Sequence, residues 1–137
     1  MDEIVVGVDR SETARRAAER AAQVSKETGR GLHLVASVPR TAKNMRSGGE
    51  SWHLDSVTDA EQFLTALAQE LGVPDATHGI SFGDPATAMC DEAERLGAWV
   101  IVVGNKRVQG ASRVLGSVAM DVARKAPCDL LIVHTVE

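Results

Sequence analysis

Ile4-Val5-Val6-Gly7-Val8-Asp9-Arg10-Ser11 is the stretch on which the reading of the fold turns. Its first five residues form an apolar run without polar alternation, the pattern of a strand covered on both faces. After Ser11 the period changes. Alanines at 14, 17, 18, 21 and 22 fall on one helical stripe. Ser11 is placed to cap that helix and Gly29 to end it. A stripe of alanines lets a helix lie close against the strand it follows.

The same alternation continues along the chain. Apolar runs at 32–38, 98–103 and 130–133 read as further buried strands, with a weaker candidate at 78–82. Between them, Thr58-Asp59-Ala60-Glu61 has the form of a capping box, and Leu64, Leu67, Ala68 and Leu71 continue its stripe to Gly72. Asp84-Pro85 predicts a capped helix ending at Gly97. A last helix is expected from Ser117, with Val118, Val122, Ala123 and Ala126 inward and Pro127 closing it. The order β-α-β-α-β-α-β-α-β implies an α/β fold with a mainly parallel sheet and helices on both faces. The whole chain, 1–137, reads as a single domain. A long connection over 39–57 interrupts the pattern and is read as either a lid or a disordered segment. Within it, Trp52 and His53 are expected to pack on the body.

Composition narrows the class. The chain has 137 residues, 44% of them apolar, with a net charge of −4. One domain of this size buries a real core. The acidic balance and the lack of a cationic run argue against nucleic acid and against anionic membrane surfaces. Tyrosine is absent and aromatics make up 3% of the chain, which leaves no base-stacking platform for single strands. Asp2-Glu3 before a short apolar run is unlike a signal peptide, and no run approaches a membrane span. Cys90 and Cys128 form no CxxC and are read as buried thiols of a reducing compartment. A cytoplasmic location is therefore expected.

Ligands of open parallel sheets bind beyond the carboxyl ends of the strands, where strand order reverses. Three segments suit that edge. Asp9 ends the first strand, where its carboxylate can take ribose hydroxyls or face a phosphate-borne metal; equally, it can brace the turn or cap the first helix. Gly83-Asp84-Pro85-Ala86 makes a tight turn into a helix and could line the ligand mouth. The segment from Val103 through Gly104, Asn105, Lys106, Arg107, Gly110 and Arg113 to Gly116-Ser117-Val118 leaves a strand, crosses a loop and enters a helix. Free N–H groups at that helix start favour phosphate, and the Ser117 hydroxyl can donate to it. The alternative is an ordinary N-cap with a solvated rim of cations. The spacing matches neither the Walker P-loop nor the GxGxxG fingerprint.

Taken in order, 4–11, 83–86, 98–118 and 126–133 resemble the universal stress protein family over nearly the whole chain, the 39–57 segment excepted. The resemblance implies a five-stranded, Rossmann-like parallel sheet of order 3-2-1-4-5 and a homodimer joined through the last strand, here the 129–136 edge. It implies an adenine nucleotide, ATP foremost, with or without Mg²⁺. Gly7, Val8, Asp9 and Val38 would surround the nucleoside, and Val103, Gly104, Gly116, Ser117 and Val118 the phosphates. One departure stands out. Nucleotide-binding members carry a glycine three residues after Gly104, where this chain has Arg107. That arginine either obstructs the phosphate path or supplies a charge-assisted bond.

The leading expectation is a nucleotide-responsive stress or signalling module. The alternatives are a nucleotide-free dimeric interaction module and a slow ATPase. Fast phosphoryl transfer needs a positioned nucleophile and metal ligands. No general base stands out, since His33, His53, His78 and His134 are scattered and read as structural or exposed.

Overall fold

The computed structural model describes residues 2–38, 49–106 and 115–135. The elements run β1 (Ile4–Val8), α1 (Glu12–Thr28), β2 (Leu32–Val38), α2 (Gly49–Glu70), β3 (Thr77–Phe82), α3 (Pro85–Leu96), β4 (Val100–Lys106), α4 (Ser117–Lys125) and β5 (Asp129–Thr135). All strand pairs are parallel, in the order β3-β2-β1-β4-β5. This is the open sheet expected from the alternation. Among the described residues, no helix is long and apolar enough to cross a membrane.

Side chains of a strand alternate between faces, and both faces of this sheet are covered. Ile4, Val6 and Val8 of β1 join Leu34 of β2, Val102 of β4 and the apolar sides of α1 and α2. Val5, Val35, Ile101 and Val103 face the other way, into α3 and α4. That is why the strands read as unbroken apolar runs. The alanine stripe of α1 is the contact surface: Ala17, Ala18 and Ala21 have no exposure at all.

Capping chemistry sets most helix ends. Ser11 Oγ accepts the Ala14 N–H at 3.1 Å, and Gly29 ends α1 in the left-handed conformation. Asp84 Oδ2 accepts both the N–H and the hydroxyl of Thr87, which hold its carboxyl below the usual range. Gly97 closes α3, also left-handed.

Two expectations change. The Thr58-Asp59-Ala60-Glu61 quartet is not a helix start, because α2 begins at Gly49. Residues 49–57 of the expected loop are therefore helical; residues 39–48, and the packing read for Trp52 and His53, lie outside the described residues. A capping motif states only a local preference. No proline or glycine between 50 and 57 interrupts the helix, and the buried Leu64, Leu67 and Ala68 stripe anchors it from the far end. In α4, Ala119 and Val122 are buried, whereas Val118 and Ala123 are exposed. The three-residue step from Ala119 to Val122 sets which side of this short helix meets the sheet.

A polar clamp ties the β3 edge to α3. Buried His33 on β2 lies 2.6 Å from Thr77 Oγ1 through Nδ1 and 2.7 Å from Glu92 Oε1 through Nε2. Arg95 binds both Glu92 oxygens, at 3.2 and 2.9 Å. A Cβ at Gly79 would stand 2.7 Å from Glu92 Oε1, so this glycine leaves the carboxylate its place. The Arg95 guanidinium, and after it His33, holds the Glu92 carboxyl below its usual range against the opposing effect of burial.

A carboxyl whose folded pKa lies below its unfolded one stabilises the fold at neutral pH. That contribution is lost as pH falls from the ordinary glutamate value, about 4.3, through the lower folded value. Urea unfolding of Glu92→Gln from pH 7 down to pH 3 should therefore show lower stability than wild type at pH 7 and a smaller loss on acidification. Parallel curves for the two proteins would refute the assignment.

Candidate functional site

The sheet splits at one place. β1 pairs with β2 as far as Val8↔Ala36, and β4 pairs with β5 as far as Lys106↔Thr135. The pairing of β1 with β4 stops at Val6↔Val102. Beyond that pair the two strands part, and their ends line a cavity of about 420 Å³. This is the point where strand order reverses from β2 and β3 on one side to β4 and β5 on the other, the usual ligand position of open α/β sheets.

Two glycines let helices crowd the gap from opposite faces. A Cβ at Gly7 would fall 2.6 Å from Met89 Sδ of α3, and Met89 is buried and lines the cavity. A Cβ at Gly104 would fall 2.8 Å from the Thr13 carbonyl oxygen and 2.8 Å from Thr13 Cγ2 of α1. On the β2 side, Ser37 Oγ donates to the Gly83 carbonyl, and Gly83 N–H donates to the Val38 carbonyl at 3.0 Å. Gly83 has φ +103°, a conformation that suits glycine. These contacts hold the β3–α3 turn over the opening.

Three helix N-termini meet at this cavity: α1 through Thr13 and Ala14, α3 through Pro85, and α4 through Val118. Each offers unpaired N–H groups and the positive end of a dipole. Ser11 and Asp84 cap the first two with their side chains. The third differs. Its N-cap is Gly116, which has no side chain to give, and Gly116 N–H itself donates to Asn105 Oδ1 at 2.6 Å. Asn105, on β4, is 3% exposed and so fixes the start of α4 to the end of the strand.

Asp9 is the one titratable residue among the described residues lining this cavity. Its Oδ1 accepts the Ser11 N–H at 2.8 Å, so it braces the turn, one of the two roles weighed for it. Among the described residues no group of three or more His, Cys, Asp or Glu could hold a metal by itself. Burial raises the pKa of Cys90 and of Cys128, which keeps both thiols protonated at neutral pH.

Gly7, Val8, Asp9, Val103, Gly104 and Val118 line the cavity together, with Gly116 and Ser117 just before Val118 at the start of α4. Val38 does not reach it. It lines a side cavity of about 260 Å³ bounded by α2, which shares Val8, Asp9 and Ser37 with the main one. The β2 residues in the main cavity are Val35 and Ser37, because odd-numbered positions of β2 face α3. Arg107 lies outside the described residues. Met89, Thr13 and Ser37 had no signal as site residues beyond their position near a strand or helix end.

An open parallel sheet of this order, with helices on both faces and a cavity at its switch point, defines a Rossmann-like domain. Comparison with known proteins makes this specific: the profile of the universal stress protein family matches residues 1–134, and the chain belongs to that family. The universal stress protein Rv1636 of Mycobacterium tuberculosis (strain H37Rv) is 31% identical over 141 residues, covering 96% of this chain and 95% of that protein. A crystal structure of a universal stress protein in complex with cAMP matches with TM-score 0.73 and 28% identity, over 98% of this chain and 97% of that one. Universal stress protein UspA from Lactobacillus plantarum shares the fold with TM-score 0.77 at 22% identity, over 96% and 97% of the two chains.

Gly104→Ala tests the close approach of α1. The added methyl meets backbone as well as side chain, so α1 must shift off the sheet. A loss of about 1–3 kcal/mol is expected, read as a lower denaturant midpoint at unchanged slope. Wild-type stability in this variant would show that α1 does not need the glycine.

Proposed function

We propose that this universal stress protein binds an adenine nucleotide, ATP foremost, in the cleft between β1 and β4. The observation that carries the reading is the start of α4, which has no side-chain cap, beside two helices whose N-termini each carry one. A phosphate at the start of α4 meets the N–H groups of Ser117 and Val118 and the helix dipole, with the Ser117 hydroxyl as a further donor, while the Gly116 N–H is held by Asn105. The nucleoside then extends along the parted strand ends of Gly7 and Val8, past Asp9, toward Val38. The size of the cavity supports this, since small-molecule sites run from roughly 300 to 1,000 Å³. So does the 28% identical relative solved with cAMP. A divalent ion would arrive on the phosphates, with Asp9 as the carboxylate at hand.

The site favours binding over turnover. Asp9 already accepts a backbone N–H, and no histidine lines the cavity among the described residues. The protein then acts as a stress-response or signalling module whose liganded state partners read. Two free cysteines fit a reducing, nucleotide-rich cytoplasm. β5 is an edge strand with half-buried Leu130, Leu131, Ile132 and Val133, an apolar edge in need of cover, and we assign it to a homodimer.

Thermal unfolding of dialysed protein with ATP, AMP or cyclic AMP, with and without Mg²⁺, tests the binding reading beside Gly116→Glu. Among the described residues a Cβ at residue 116 meets Asn105 Oδ1 at 3.5 Å, an ordinary contact, and the new carboxylate would compete with phosphate at the helix start. The expected result is a nucleotide-dependent rise in melting temperature that the variant lacks while its ligand-free stability is kept. At 100 times the dissociation constant the ligand adds about 2.7 kcal/mol. No shift at millimolar nucleotide would move the reading to a nucleotide-free interaction module. Sedimentation velocity tests the dimer: wild type should run at twice the monomer mass and Leu131→Lys as a monomer. A monomeric wild type at tens of micromolar would sink that assignment.

A further inference from the structure

The side cavity between β2 and α2 has a wall that the family resemblance does not account for. Arg10, the residue after Asp9, holds its guanidinium 4.7 Å from the centre of the Phe63 ring of α2. Both residues line the side cavity, whose remaining walls include the apolar Val8, Ala36 and Val38. It shares Val8, Asp9 and Ser37 with the main cavity, so the two spaces lie side by side.

The charges divide the two spaces between the parts of a nucleotide. Asp9 and Asp59 both line the side cavity, and among the described residues Arg10 is the cation that opposes them. Two carboxylates repel a phosphate, which has the start of α4, without a side-chain cap, at the other end of the cleft. What suits the side cavity is the uncharged, flat end of the ligand. Aromatic and guanidinium faces are the groups on which nucleobases stack.

We propose that Arg10 and Phe63 are the base-gripping residues of this chain: a purine seats against the Phe63 ring and under the Arg10 guanidinium. The inference rests on the nucleotide reading above and adds the residues that hold the base. Arg10 is exposed, so its guanidinium can lift by the thickness of a ring without disturbing the core. Arginine suits this role better than lysine, because its charge is spread over a plane that stacks on another plane. Phe63 is partly buried against the α1–α2 core, which holds the ring in place beneath the ligand.

Isothermal titration of ATP and AMP into wild type, Arg10→Lys and Phe63→Leu, each at low and high salt, tests this. Lysine keeps the charge and leucine keeps apolar volume, so both variants should fold, and both lose a plane. The expected result is affinity about tenfold weaker in each variant for both nucleotides, the order of one stacking contact. For Arg10→Lys the deficit should be the same at both salt concentrations, since stacking is not screened as a charge attraction is. Full affinity in either variant overturns the proposal while leaving the nucleotide reading standing. A deficit in Arg10→Lys that vanishes at high salt also overturns it and makes Arg10 a phosphate-attracting charge. A wild type that binds neither nucleotide removes both readings together.

Discussion

The rest of the site depends on the parting of β1 from β4 after Val6↔Val102. Each strand keeps its outer neighbour beyond that point, so the gap opens between these two alone. Facing backbone groups that no longer satisfy one another must find other partners. A cleft at this place is a consequence of topology, because α1 leaves β1 toward one face while α3 and α4 cover the other. Neither layer can close over the ends of both strands.

Glycine makes the gap usable. Gly7 faces α3 and Gly104 faces α1, so one helix from each layer is drawn up to the rim. A larger residue at either position would hold a helix away and leave a wide, shallow opening. Closeness has a second effect on charge. It brings three helix N-termini to one small volume in a protein whose net charge is −4. An acidic chain can thus present a local positive potential made of backbone dipoles. Ser11 and Asp84 spend two of the three termini on their own caps, which leaves the start of α4 as the terminus without a side-chain cap.

Much of this is legible in the sequence, and the parts that are not share a cause. The strands are legible because burial on both faces erases polar alternation at Ile4–Val8 and around Ile101, and the caps at Ser11 and Asp84-Pro85 because they act through neighbouring residues. The α2 start fails for the opposite reason. Thr58-Asp59-Ala60-Glu61 satisfies a local rule, but the helix running through it is anchored by packing at Leu64 and Leu67. Val38, expected beside the nucleoside, lines the side cavity rather than the main one, since residues of one parity along β2 face α3 and those of the other face α2. That parity is visible in the sequence once the face of Val35 is known, and the face is a tertiary fact. Met89 is less legible still. Its place beside Gly7 joins residues 82 positions apart, and nothing local to either announces the contact.

The position of the cleft bears on what a ligand would do there. On the proposed reading, a nucleotide lying from α4 toward α2 touches residues that belong to both cores: Val8 on the α1–α2 side, Val103 on the α3–α4 side. Its binding energy would add to the cohesion between two layers that at this edge meet only through parted strands. A ligand that binds the folded state alone raises its stability in proportion to occupancy. The same contacts would fix the β3–α3 turn through Gly83, which lines the cavity. On that reading, binding energy spent on joining the two layers would leave a more stable fold, a state that does not require the nucleotide to be cleaved.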